Sequence, residues 1–245
     1  MRIPFVDLKA QYHSIKEEID TAIQNVINET AFIKGKYVQN FEEEYAEIYG
    51  VKHCISCANG TDAIYITLKA LGIGPGDEVI TTALSWISTS ETITQAGARV
   101  VFVDIDPDYY TIDTAKIENK ITEKTKAIIP VHLYGHPGNM TDIMAIAEKY
   151  NLKVIEDCAQ AHFAQWKGKY VGTFGIAGTF SFFPGKNLGA FGDAGCIVTN
   201  DDELAQKVRM FAHHGALKKH HHEFEGINSR LDGLQAAVLS VKLKY

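Results

Sequence analysis

The sequence predicts an α/β protein whose mainly parallel sheet is covered by helices on both faces. Three observations carry that expectation: short β-branched and apolar runs alternate with helical ones, several of those runs are apolar on both sides, and unusual polar residues collect just beyond them. The strands read as the run around VKHCISCA, then Glu78–Thr82, Arg99–Asp104, Ala127–His132, Lys153–Glu156, Thr179–Phe183 and Cys196–Thr199. Between them, 3.6-residue periodicity predicts helices over Asp62–Ala70, Ser88–Ala96, Asp142–Tyr150 with Thr141 as its cap, and Glu203–His213. Ahead of the sheet, Leu8–Asn28 and Tyr37–Tyr49 read as amphipathic helices joined through Phe32-Ile33-Lys34-Gly35.

Residues 1–228 form one large unit in this reading, and residues 229–245 open a helix still periodic at Tyr245, with no glycine, proline or polar terminator behind it. The expectation is that a C-terminal portion follows. A net charge of -6 without a basic tail disfavours nucleic acid as a ligand. No run has the length to cross a bilayer, and the N-terminal stretch lacks the apolar core of a signal peptide, so the expected compartment is the cytoplasm. Four cysteines are too few for a disulfide scaffold; Cys54 and Cys57, three apart on a strand, face opposite ways and read as buried. His213, His214 and His220–His222 sit among Lys218 and Lys219 without a carboxylate framework, which reads as a solvated loop rather than a metal site.

The polar residues at strand ends carry the chemistry, because ligands of open α/β sheets bind beyond the carboxyl ends of the strands. Asn59-Gly60-Thr61-Asp62 precedes a helix, where N–H groups and the Thr61 hydroxyl suit a phosphate; an ordinary Asn-Gly turn is the alternative. Asp157 ends the apolar run KVIED and needs a partner or a cation, or else caps a neighbouring loop. Glu156 points the other way and supplies no second carboxylate for paired acid–base work. Lys186, in FPGKNLG, lacks the glycine spacing of a nucleotide P-loop. A partly desolvated lysine there has a free electron pair for a carbonyl. Trp86 in ALSWIST is either a flat platform for an aromatic ring or core. Together these features suit pyridoxal 5'-phosphate: a lysine for its aldehyde, an aspartate for its ring nitrogen, a platform, and a turn with a hydroxyl for its phosphate.

The stretches IPFVDLKAQY, GIGPGDEVI, VFVDID, TKAIIPVHLYG, VIEDCAQAH, FSFFPGKNLG, GDAG and GINSRLDGLQAA, in this order from Ile3 almost to the last residue, resemble the DegT/DnrJ/EryC1/StrS family of pyridoxal-phosphate-dependent sugar aminotransferases. The resemblance implies the large domain of a fold-type I transferase, followed in relatives by a smaller domain. It implies Lys186 as the residue bonded to the cofactor, Asp157 at the pyridinium nitrogen and Gln160 near the ring. Gly60, Thr61 and Ser181 would hold the phosphate, with Asn228 reaching over from the other subunit of a homodimer. Trp86 stands where the family commonly has phenylalanine, and Phe163 where glycine is usual, which brings the shape of the pocket wall into question. The implied reaction moves an amino group from L-glutamate to a dTDP- or UDP-linked keto-sugar, with no metal. Some relatives are sugar dehydratases that carry histidine at the Schiff-base position, from which Lys186 departs; others are regulatory and non-catalytic.

Overall fold

Burial on two faces explains why the strands are short and apolar throughout, and why their crossovers are helices. A computed structural model describes residues 3–218 and 220–245. Two helices, α1 (Leu8–Ser14) and α2 (Lys16–Asn28), precede α3 (Lys36–Tyr49). Then follow β1 (His53–Cys57), α4 (Gly60–Ala70), β2 (Glu78–Thr82), α5 (Ser88–Gln95), β3 (Arg99–Val103), β4 (Thr125–Ile129), α6 (Met140–Tyr150) and β5 (Lys153–Asp157). A two-stranded ribbon of β6 (Gln165–Trp166) and β7 (Lys169–Tyr170) leads to β8 (Ala177–Ser181), β9 (Gly195–Thr199), α7 (Asp202–Phe211) and α8 (Gly233–Lys242).

The seven-stranded sheet has the order β1-β9-β8-β5-β4-β2-β3. Pairing is parallel from β8 through β5, β4 and β2 to β3, whereas β9 runs antiparallel to both β8 and β1. The sheet is therefore mixed, with β9 alone reversed. On one face Ile155, Ala177 and Ile197 pack with α4, α5 and α7; on the other, Val154 meets α6 while Phe180 and Cys196 meet α3 and α8. Among the described residues no helix is long and apolar enough to cross a membrane.

Several boundaries differ from the sequence reading, each for a local reason. Leu8–Asn28 breaks at Ile15, whose φ of -129° lies outside the helix. Helix α4 starts two residues before Asp62, capped by Asn59. Asn139 rather than Thr141 caps α6; the Thr141 hydroxyl instead accepts from Trp166 Nε1 at 3.0 Å and Lys167 Nζ at 3.1 Å. The last helix begins at Gly233, not Ser229, because the preceding segment is drawn into bridges pairing Asn228 with His213 and Asp232 with Ile33. All four cysteines are free and buried. His214 and His220–His222 are exposed as expected for a solvated loop, while Lys219 lies outside the described residues.

Candidate active site

Parallel strands deliver their carboxyl ends to one rim of the sheet, and the polar residues there enclose a cleft of about 660 Å³. Asp157 is the last residue of β5 and is buried. Its Oδ2 accepts from Thr89 Oγ1 at 2.8 Å and its Oδ1 from the Ala159 N–H at 3.1 Å. Because the single hydroxyl proton of Thr89 goes to this carboxylate, the Ser85 hydroxyl, 2.7 Å from Thr89 Oγ1, is the donor in that contact. Burial pushes the Asp157 carboxyl up from its ordinary range, against the pull of Thr89, Ala159, His132 and Lys186.

Lys186 follows β8 in a turn closed by its own N–H on the Phe183 carbonyl, at 2.8 Å. It is half-buried, and desolvation lowers its ammonium from the ordinary lysine value while Asp157 pulls the other way. Among the described residues its Nζ has no hydrogen-bond partner and no ion pair. A nucleophilic amine needs that state: near a carboxylate that keeps it in the cleft, yet bound to nothing.

The rim opposite is the N-terminus of α4. Asn59 Oδ1 accepts from the Asp62 N–H at 2.8 Å, leaving the N–H groups of Gly60 and Thr61 without an acceptor among the described residues. Gly60 is required by contact: a Cβ there would lie 2.5 Å from Ser181 Cβ, so only glycine brings this N–H beside the Ser181 hydroxyl. From below, Gly195 on the reversed strand admits no Cβ either, since one would come within 2.5 Å of the Asn59 carbonyl carbon. The Thr61 and Ser88 hydroxyls are 2.8 Å apart, and Ser229 Oγ donates to Asp62 Oδ2 at 2.6 Å while accepting from the Ala58 N–H at 3.0 Å. The N–H groups of Gly60 and Thr61 and the hydroxyls of Thr61, Ser88 and Ser181 thus line a cup rich in donors, the composition a phosphate needs.

Trp86 stands at the mouth, 72% exposed, and is a wall of the cleft rather than core. Gln160 Oε1 accepts from the Tyr134 N–H at 2.8 Å, which fixes the amide at the cleft wall. Of the residues singled out in the sequence, Gly60, Thr61, Trp86, Asp157, Gln160, Ser181 and Lys186 all line this cleft. Asn228 does not; it is exposed, on a bridge with His213. Phe163 is not a cleft wall either. Its ring packs with Tyr45, Tyr49 and Tyr170, and its N–H donates to the Tyr49 hydroxyl at 2.8 Å. Sequence reasoning missed Thr89 and Ser229, whose signals were a serine–threonine run opening a helix and a serine beside Asn228.

Behind the cleft, His132, Glu156 and the Cys158 sulfur come within 4.8 Å of one another. Glu156 accepts from the N–H groups of Gly172, Phe174 and Gly175 and contacts His132 Nε2 at 3.1 Å, so both of its oxygens are already engaged. This is a hydrogen-bonded knot rather than a vacant ligand set.

Fold and cleft together define an α/β protein with a free lysine and a buried aspartate facing a phosphate-sized cup at the strand ends. The chain belongs to the DegT/DnrJ/EryC1/StrS aminotransferase family, whose model matches residues 13–245. It is 53% identical over its whole length to a pleiotropic regulatory protein of Geobacillus stearothermophilus, covering 66% of that protein. It is 49% identical to a UDP-N-acetyl-3-dehydro-α-D-glucosamine 3-aminotransferase of Acidithiobacillus ferrooxidans, over 99% of this chain and 66% of the relative. The crystal structure of Streptomyces venezuelae DesV in complex with a ketimine intermediate superposes with a TM-score of 0.97 at 43% identity, over 99% of this chain and 66% of that one. The chain therefore spans about two thirds of the length of the relatives it matches.

Proposed function

We propose that this chain is the cofactor-binding part of a pyridoxal-phosphate-dependent aminotransferase that moves an amino group from L-glutamate to a keto-sugar linked to dTDP or UDP. The observation that carries the reading is the pairing of an unbonded, partly desolvated Lys186 with a buried Asp157 in one cleft. The cleft suits the cofactor on its own chemistry: unclaimed N–H groups at Gly60 and Thr61 for a phosphate, a carboxylate for a ring nitrogen, an amine for an aldehyde, and Trp86 for a ring face. When bound, the cofactor supplies a carbonyl that carries the amino group and a ring that withdraws electrons. With the cofactor in place, Lys186 Nζ would hold it and could take and return a proton, Asp157 would keep a proton at the ring nitrogen, Gly60, Thr61 and Ser181 would hold the phosphate, and Gln160 would lie near the ring. In this reading residues 1–228 are the cofactor-binding unit, residues 229–245 lead toward a smaller one, the protein works in the cytoplasm, and two copies share their sites through Asn228.

Full-length protein with pyridoxal phosphate is expected to show a visible absorption band that borohydride abolishes, leaving the cofactor's mass on the Lys186 peptide. Glutamate should bleach that band, and 3-keto or 4-keto nucleotide sugars, offered separately, should restore it with release of an aminosugar. Restoration by simple 2-keto acids alone would overturn the substrate. The similarity to a regulatory protein supports a second, non-catalytic reading; cofactor loading without any response to glutamate would favour it. Mixing inactive Lys186→Ala and Asn228→Ala chains is expected to restore part of the activity, since a mixed dimer keeps one intact site.

A further inference from the structure

The turn that carries Lys186 leaves the sheet after β8 and returns through Gly189, Ala190 and Phe191, where the Ala190 N–H donates to the Phe182 carbonyl at 2.7 Å. No hydrogen bond of the Lys186 amine fixes this turn from within. Where the amine stands in the cleft is therefore set by how the limbs of the turn are tied.

Two side chains of α8 tie the returning limb. Lys242 Nζ donates to the Gly189 carbonyl at 2.6 Å and to Gln11 Oε1 at 2.9 Å, and it stands 4.9 Å from the centre of the Phe191 ring. Gln235 Oε1 accepts from the Phe191 N–H at 2.8 Å. The two residues are seven apart, two turns of helix, so they project from one face. Leu188, in the turn itself, is buried in the same cluster as Ala236 and Leu239 of α8.

Lys242 is 8% exposed, and among the described residues no acid pairs with it. Burial lowers its ammonium from the ordinary lysine value. A buried cation without a counter-charge is costly, and here a carbonyl, an amide oxygen and an aromatic face offset that cost. An apolar side chain of the same length would pack at this position without it; what the ammonium adds is a grip on the Gly189 carbonyl. That grip is transmitted. A Cβ at Gly189 would collide with the Pro184 carbonyl, so the turn closes tightly on itself and its returning limb cannot shift without moving the Lys186 segment.

We propose that Lys242 and Gln235 are positioning residues for Lys186, holding the returning limb of its turn from one face of α8 and so fixing where the amine stands. That this amine carries the reaction rests on the function proposed above; the clamp on its turn does not.

The test uses full-length protein as wild type, Lys242→Met, Gln235→Leu, Gln235→Glu, which keeps an acceptor for Phe191, and Lys244→Gln, which removes an exposed lysine paired with Glu18. The first measurement is made without cofactor: competitive acetylation of Lys186 against the exposed Lys52, followed by mass spectrometry through the lysine titration range. Asp157 and His162 are the titratable groups that face Lys186, and no variant replaces either. Because desolvation holds the Lys186 ammonium down, releasing the turn into water should move its acetylation profile up in pH in Lys242→Met and Gln235→Leu. Gln235→Glu and Lys244→Gln should keep the wild-type profile. In the holoenzyme the first two variants should lose about tenfold in kcat, with KM for glutamate unchanged. A lower melting temperature with the Lys186 profile unmoved in both Lys242→Met and Gln235→Leu overturns the inference, since the contacts would then serve stability alone. A moved profile with kcat unchanged overturns it as well. If wild type transfers no amino group and the profile still moves, the proposed reaction fails and the clamp stands.

Discussion

Glu156 and Asp157 are neighbours on one strand, both buried, and they do opposite work. Glu156 faces α6 and is surrounded: three backbone N–H groups and His132 occupy its two oxygens. His132 Nδ1 accepts from the Gly138 N–H at 3.0 Å, so its proton sits on Nε2 and is donated to Glu156. Asp157 faces the cleft with only two donors, Thr89 and Ala159, for the about four lone-pair sites that a carboxylate offers. A carboxylate that the fold satisfies completely fastens the fold; one that it satisfies incompletely is left to bind something else. The difference follows from strand alternation, which sends adjacent side chains to opposite faces.

The comparison can be broken at either residue. Asp157→Asn in the holoenzyme should lower turnover by about 10²–10³-fold in a steady-state assay, while far-ultraviolet circular dichroism stays unchanged. Glu156→Ala should act the other way round. It strands three N–H groups and His132 and should cost about 3–5 kcal/mol in urea unfolding; a loss below about 1 kcal/mol would show that the knot is not structural.

A subtler effect concerns the cofactor-free protein. Burial raises the folded Asp157 carboxyl above its ordinary value of 3.8, so the folded chain holds that proton more tightly than the unfolded chain. Stability from this group therefore falls as pH rises from 3.8 through the raised value, and stays lower above it. At pH 7 the Asp157→Asn protein without cofactor should be about 1 kcal/mol more stable than wild type, a gain that shrinks on acidification toward pH 4; thermal melts across this range measure it. An effect of similar size is expected at Phe163, whose φ of 61° is left-handed. Phe163→Gly relieves that strain and loses the contacts with Tyr45, Tyr49 and Tyr170, for a net loss of about 1 kcal/mol in the same melts.

Most of the cleft was legible because each of its residues stands just after an apolar strand or at a helix start, and strand ends converge in space whatever their separation in sequence. Gly60, Asp157 and Lys186 could be placed together on that ground, whereas Ser181, inside the run Thr179–Phe183, came only from the family resemblance. Thr89 was not legible as a partner of Asp157, since it lies inside a helix and reaches the carboxylate across the layer. The reversal of β9 was invisible for a related reason: a strand buried on both faces has the same composition in either direction. Nor does residue identity reveal that Phe163 turns into an aromatic cluster, because its direction is set by a backbone angle that glycine usually supplies.

The Ser229–Asp62 hydrogen bond spans 167 residues, and β1 reaches the sheet only through β9. During synthesis, at about 5–20 residues per second, roughly 10–30 s pass between the emergence of the α4 N-terminus and that of Ser229. Until β9 emerges, β1 has no neighbour in the sheet and the loop ending in Gly60 has nothing beneath it. A nascent chain thus carries an unpaired strand beside an unformed phosphate cup until β9 and Ser229 have emerged.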